Sequence, residues 1–259
     1  MLDAIAELKA RWSRGETTTN CWLTIPNAFT AEIASRSGFD TVGIDMQHGL
    51  VDFTAVTAML QATTAAGKPT IVRVPWNEPS IIMRVLDMGA GGVIVPMVET
   101  AEQAERAVAA CYYAPRGNRS YGPTRAAVVY PDYYERANGG LLVFVMIETK
   151  RGLENLDEIL ATPGLTGVYV GPADLSVSLG YPPETDSRRP EHNDAVKRII
   201  AACHERGLFT ALHTGGPGPA AETVAWGVDM VTIAADNHVF KAEMARRAEE
   251  FARLTKGRE

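Results

Sequence analysis

A count constrains this chain more than any motif does. Eight short apolar runs, each followed by a stretch of helical spacing, recur at about thirty-residue intervals. They occupy residues 21–25, 41–44, 70–74, 93–95, 141–147, 168–170, 208–212 and 230–233. Runs this short and this continuously apolar read as strands buried on both faces, several of them stopped by Pro26, Pro75 and Pro96. Strands separated by helices run parallel, so all of them point the same way. A doubly wound open sheet would carry fewer strands and a glycine fingerprint after the first, and Ile25, Pro26 and Asn27 offer none. Eight units in 259 residues predict an α/β protein, a closed TIM (β/α)8 barrel in a single domain over residues 1–259. Leu2, Ile5, Leu8 and Trp12 at helical spacing predict an extra N-terminal helix, and residues 239–256 a closing C-terminal one. Residues 114–138 break the pattern. With Arg116, Arg119 and Arg125 among Gly, Pro and Tyr, they predict a long insert over one face, shaping the pocket.

A barrel of this kind carries its chemistry at the C-terminal ends of its strands. The residues where the runs stop include Asp45 and His48 after the second, Arg73 in the third, Glu148 after the fifth and Asp174 after the sixth. Glu148 and Asp174 are lone carboxylates at matching ends, the second framed by Gly171, Pro172 and Ala173, with no Cys or paired His nearby. Such an oxygen set suits a hard divalent cation, Mg²⁺ or Mn²⁺, with positions left open for substrate. The structural alternative is that each carboxylate caps the helix it precedes. A metal there can chelate a 2-oxo acid and polarise its carbonyl. Arg73 can meet the oxygen that becomes an enolate. As a guanidinium inside an apolar run it needs an anionic partner, for which Glu148 alone would serve. His48 is the candidate for proton transfer, with Asp45 or Asp87 to orient its ring. Asp87 ends a helix, where the dipole disfavours a carboxylate. The backbone N–H groups of Ala173 and Asp174 can receive a substrate carboxylate. His213, before Thr214, Gly215 and Gly216, opens a loop readable as a tight turn or as a phosphate cup.

The formal net charge of -6 argues against nucleic acid as the main partner. Cys21, Cys111 and Cys203 are odd in number and far apart, so neither a disulfide framework nor a zinc knuckle is indicated. Asp3, Glu7, Lys9 and Arg11 interrupt the N-terminal apolar residues as no signal peptide would, and no run reaches membrane-spanning length. A cytoplasmic enzyme with no membrane partner is expected.

The segments FDTVGIDMQHG, IVRVP, LDMGAGGVIVPMVET, YAPRGNRSYGP, VMIET and VGPADLS, in that order and spacing, resemble the HpcH/HpaI aldolase family from about residue 20 to the end of the eighth strand. The resemblance implies a metal-dependent (class II) pyruvate aldolase, similar to 4-hydroxy-2-oxoheptanedioate aldolases. It implies a hexamer, a trimer of dimers that exchange their C-terminal helix, with a neighbouring subunit completing each site. Mg²⁺, Mn²⁺ or Co²⁺ would sit on Glu148 and Asp174. Arg73 would contact the pyruvyl oxygen, His48 would work with Asp45 or Asp87, and the substrates would lie against Gly171, Pro172, Ala173, Asp174 and His213. The expected reaction is reversible cleavage of a 4-hydroxy-2-oxo acid to pyruvate or hydroxypyruvate and an aldehyde through a metal-stabilised enolate. Two departures stand out: Gln47 replaces a Glu before the catalytic His, and Met146 replaces a Gln two residues before the metal Glu. Both imply a different donor or acceptor range. No Schiff-base lysine is called for, since Lys68 and Lys150 flank their strands. Two alternatives stand beside this: an acyl-CoA lyase of the citramalyl- or malyl-CoA type, with Arg116, Arg119 and Arg125 as its basic groove, and a non-catalytic barrel whose metal organises an oligomer.

Overall fold

The computed structural model describes residues 1–256. Its eight strands are all parallel and close in sequence order, the last pairing back to the first. They are β1 (Thr18–Leu23), β2 (Thr41–Asp45), β3 (Thr70–Arg73), β4 (Gly92–Val95), β5 (Leu142–Ile147), β6 (Gly167–Val170), β7 (Phe209–His213) and β8 (Met230–Ala235). The helices are α1 (Leu2–Ser13), α2 (Ala28–Arg36), α3 (Phe53–Ala65), α4 (Pro79–Asp87), α5 (Ala101–Cys111), α6 (Thr124–Val129), α7 (Tyr133–Gly140), α8 (Lys150–Glu154), α9 (Leu156–Leu160), α10 (Pro172–Ser178), α11 (Pro190–His204), α12 (Pro217–Val224) and α13 (Asp236–Thr255). Local chemistry starts them where expected. Asn27, Asp52 and Thr100 cap α2, α3 and α5 by accepting backbone N–H bonds. No helix among the described residues is long and apolar enough to cross a membrane.

Strand alternation sets what the barrel encloses. Residues two apart share a face, so Gly43 with Asp45, Ile71 with Arg73, Met146 with Glu148, Tyr169 with Gly171 and Ala211 with His213 line the interior in layers. Large and small residues complement each other there. Trp22 fills the space over Gly43, where a Cβ would meet its ring at 2.6 Å, and stacks on Tyr169 at 5.4 Å. β1 begins three residues before the apolar run suggested, because Thr18 and Asn20 are buried and satisfied inside: Trp12 Nε1 donates to Thr18 Oγ1 at 2.8 Å, and Asn20 to Thr232.

The N-terminal end of the barrel is closed by α1. Its buried face carries Leu2, Ile5, Leu8 and Trp12, and the Trp12 ring packs on Phe144 and Phe209. The insert lies at this same end, which corrects the expectation that it shapes the pocket of its own chain. It holds α6 and α7 rather than an irregular loop, α7 packs on α1, and its arginines are committed. Arg119 bonds Asp87 at the end of α4, Arg125 donates to the Met88 and Leu60 carbonyls, and Arg116 lies over Tyr112 and bonds the Asn138 carbonyl. All three cysteines are free and buried, and burial pushes each thiol up to about 12, so they are inert as nucleophiles.

Candidate active site

The C-terminal strand ends bring together Asp45, His48, Arg73, Glu148, Asp174 and His213. Asp45 and Arg73 sit side by side on β2 and β3, whose register pairs them. The pair is bidentate: Arg73 Nε donates to Asp45 Oδ1 at 2.9 Å and Nη2 to Oδ2 at 2.7 Å. Asp45 also accepts from the Trp22 indole and from the backbone N–H groups of Gln47 and His48. Burial alone would raise the Asp45 carboxyl; the Arg73 bonds and charge, with the two backbone donors, hold it below the ordinary range instead. The anionic partner of Arg73 is therefore Asp45, not Glu148. Asp45 does not orient the His48 ring either, for its lone pairs are engaged elsewhere. The guanidinium lies 5.0 Å above the Trp22 ring, which fixes its plane and leaves Nη1 as its uncommitted nitrogen.

Glu148 is 1 % exposed at the end of β5. Thr149, not Glu148, caps α8, and α10 starts at Gly171 without a side-chain cap, so neither proposed metal ligand is a helix cap. Glu148 Oε1 accepts the N–H of Met97 at 2.8 Å, and Met97 takes a left-handed φ of 55°, a strained setting for a non-glycine residue. Oε2 has no donor among the described residues. A Cβ at Gly171 would collide with it, so glycine there keeps that oxygen clear. Burial first, and the nearby Asp174 charge next, push the Glu148 carboxyl up to about 7 against the Met97 bond and Arg73. Asp174 stands exposed in the first turn of α10.

This is a donor set that fits a divalent cation. One clear buried carboxylate oxygen and one exposed carboxylate repel each other until a positive charge joins them, and few protein ligands leave room for water and substrate. No group of three or more His, Cys, Asp or Glu fit to hold a metal occurs among the described residues.

A cavity of about 170 Å³ opens beside these groups, lined by His48, Arg73, Met146, Tyr169, Gly171 to Asp174, Thr185 and His213. A second, of about 400 Å³, lies on the β1 and β8 side and is lined by residues including Trp22, Ile25, Leu50, Asn237 and His238. His48, Arg73 and His213 line both. His48 is exposed, and its ring nitrogens bond nothing among the described residues. Asp87 is not brought here within one chain. It ends α4 at the opposite mouth of the barrel, 2.6 Å from Arg119, and burial raises its carboxyl despite that partner. The Gly215 N–H donates to Asp186 Oδ1 at 2.9 Å, so the glycine loop is a turn filled by a carboxylate and not a phosphate cup. Residues that the sequence reading passed over are Trp22, Tyr169 and Thr185; a Trp and a Tyr inside apolar runs carry no local mark of facing a site.

The sequence model of the HpcH/HpaI aldolase/citrate lyase family matches residues 18–242. A hydroxypyruvate/pyruvate aldolase of Rhizorhabdus wittichii is 38% identical over 231 residues, 89% of this chain and 92% of that protein. A 5-keto-4-deoxy-D-glucarate aldolase of Klebsiella pneumoniae is 33% identical, covering 95% of this chain and 96% of its own. Among solved structures, a HpcH/HpaI aldolase/citrate lyase family protein from Burkholderia cenocepacia superposes with a TM-score of 0.86 at 32% identity, covering 95% of this chain and 99% of the other.

Proposed function

This chain belongs to the HpcH/HpaI aldolase/citrate lyase family of carbon–carbon lyases, and we propose that it is a class II aldolase dependent on a divalent cation, reversibly cleaving 4-hydroxy-2-oxo acids to pyruvate or hydroxypyruvate and an aldehyde. The observation that carries this reading is the clear oxygen of buried Glu148 against Gly171, whose cavity is also lined by Asp174 and by Arg73 with its free Nη1. Mg²⁺, Mn²⁺ or Co²⁺ would be held by Glu148 and Asp174 and would supply Lewis acidity toward the 2-oxo group. The chain's own groups do the rest. Arg73, held rigid by Asp45 and Trp22, presents Nη1 to the oxygen on which negative charge grows, without reorganising as the reaction proceeds. Gly171, Pro172, Ala173 and Asp174 form the wall against which the acid lies.

In the cleavage direction His48 takes the proton of the C4 hydroxyl, the C4–O bond becomes a carbonyl, and the C3–C4 electron pair passes into the enolate of the acid. His48 then returns the proton to C3. Asp87 enters such a site only from a neighbouring protomer, since in its own chain it faces the other end. α13 fits an assembly with exchanged C-terminal helices, a hexamer built as a trimer of dimers: it buries none of its residues and exposes Val239, Phe240, Met244, Phe251 and Leu254. The acyl-CoA reading loses its support, because the three arginines it needed are engaged on the far face.

The test is exchange of pyruvate methyl protons in D₂O, followed by NMR. Exchange is expected in protein given Mg²⁺, Mn²⁺ or Co²⁺, lost on chelation and in Glu148→Gln. Exchange that persists after thorough chelation would refute the cation dependence, and trapping of pyruvate by borohydride would refute the whole scheme.

A further inference from the structure

The interior of the barrel contains a chain of polar side chains whose hydrogen bonds run in one direction. Asn20 Nδ2 donates to Thr232 Oγ1 at 2.9 Å, Thr232 Oγ1 lies 2.7 Å from the Tyr169 hydroxyl, and that hydroxyl lies 3.2 Å from His213 Nδ1. Asn20, Thr232 and Tyr169 are each 1 % exposed, so bulk water does not complete the pattern. An amide nitrogen only donates, so Thr232 accepts from Asn20 and keeps one proton to give. If Thr232 gives it to Tyr169, Tyr169 gives its own to His213 Nδ1, and each hydroxyl proton has an acceptor. If instead His213 Nδ1–H donated to Tyr169, Tyr169 would donate to Thr232, and the Thr232 proton would be left buried without an acceptor. The amide at the start therefore sets the tautomer at the end: Nδ1 accepts and Nε2 carries the hydrogen. Turning the Asn20 amide over would reverse every bond and move that hydrogen to Nδ1, so the ring reports on an amide three hydrogen bonds away. Thr41 Oγ1 lies 3.0 Å from Asn20 Oδ1 and 3.2 Å from the Thr19 carbonyl, and the amide faces Thr232 with its nitrogen when the Thr41 proton goes to Oδ1.

The position of His213 says what its Nε2–H can read. In an aldol reaction the acid's C3 must lie where the two reactants meet. Three residues line both cavities, and of these Arg73 is committed to the oxo end of the acid, which leaves His48 and His213 to flank C3. Burial, and after it the Arg73 charge, hold the His213 imidazole down at about 4, so it stays uncharged through the neutral range and its single N–H is what it offers. We propose that His213 is a specificity-determining residue, its Nε2–H held toward the junction of the cavities by the Asn20, Thr232 and Tyr169 relay, where it favours a 2-oxo acid bearing a hydroxyl on C3 over one bearing hydrogen alone. This deepens the aldolase reading and rests on it. Tyr169, Thr232 and Asn20 are positioning residues in this scheme, acting through the ring.

The experiment compares C3 proton exchange in D₂O for hydroxypyruvate and pyruvate, in Mg²⁺-loaded wild type, His213→Phe and Tyr169→Phe, alongside ¹⁵N NMR of the histidine rings in the wild type. The hydroxypyruvate-to-pyruvate ratio of kcat/KM is expected to fall about tenfold in His213→Phe. A smaller fall is expected in Tyr169→Phe, which keeps the ring but cuts the relay. The His213 resonances, assigned by their loss in His213→Phe, should show Nε2 protonated and Nδ1 bare. A ratio unchanged in His213→Phe, or a ring protonated on Nδ1 in the wild type, overturns the proposal even if the tyrosine variant does not fold. Wild-type exchange with neither acid would instead bring down the aldolase reading, while the ¹⁵N spectrum still decides the tautomer.

Discussion

Asp45 illustrates how far a buried charge at this site depends on its partner. Arg73→Met would strand that carboxylate beneath Trp22, and an unfolding free energy lower by about 3–5 kcal/mol is expected by denaturant titration. Arg73→Lys keeps a cation but loses the fork and the stacking. Its stability should change much less while kcat/KM falls at least about 100-fold, which separates the structural part of the arginine from the catalytic part. Glu148 gives a pH signature. Its carboxyl is raised to about 7 in the folded protein, so the proton is bound more tightly there than in the unfolded chain. The stability this contributes is whole at low pH and is lost as pH rises through about 7. A cation held by Glu148 would bind the deprotonated form and would have to displace that proton. Mn²⁺ affinity, measured by calorimetry, should therefore rise about tenfold per pH unit below about 7 and level off above it; affinity flat across that window would remove Glu148 from the ligand set. These side chains were legible in sequence because each stands where an apolar run stops. The arginine's true partner was not, because pairing between β2 and β3 depends on register, which local pattern leaves open.

The elements divide along the barrel axis. α1 works as a plug, and Trp12→Ala should lower stability by about 3–5 kcal/mol in chemical denaturation while turnover per folded molecule is unchanged, since the plug and the site lie at opposite ends. Gly167 shows the tolerance of the strands: a Cβ there would run into the Phe209 carbonyl, and Gly167→Ala should cost at least about 1–3 kcal/mol by forcing β6 and β7 apart. Most elements were legible because Pro and Gly punctuate them. The start of β1 was missed because Thr18 and Asn20 look like loop residues until the closed barrel supplies them with Trp12 and Thr232 as partners. The helices of the insert were missed because α6 and α7 are short and sit among Gly, Pro and Tyr, and nothing in a linear pattern says which end of a barrel an insert covers.

For the whole molecule, the expectation turns on surfaces that one chain leaves bare. Truncation before Val239, or Phe240→Ser with Phe251→Ser, should lower the assembly mass read by light scattering, and an unchanged mass would place the contact elsewhere. Because Asp87 and His48 lie at opposite mouths, mixing dissociated His48→Ala and Asp87→Asn subunits and letting them reassemble should restore part of the activity each lacks alone, if neighbours share a site. A last consequence belongs to the turn after β7. Asp186 already occupies the glycine backbone that many barrels reserve for a phosphoryl group, and its negative charge repels another. With that carboxylate in place, the turn offers no ready seat to a second anion, and a phosphorylated substrate would find none of the backbone donors it needs there.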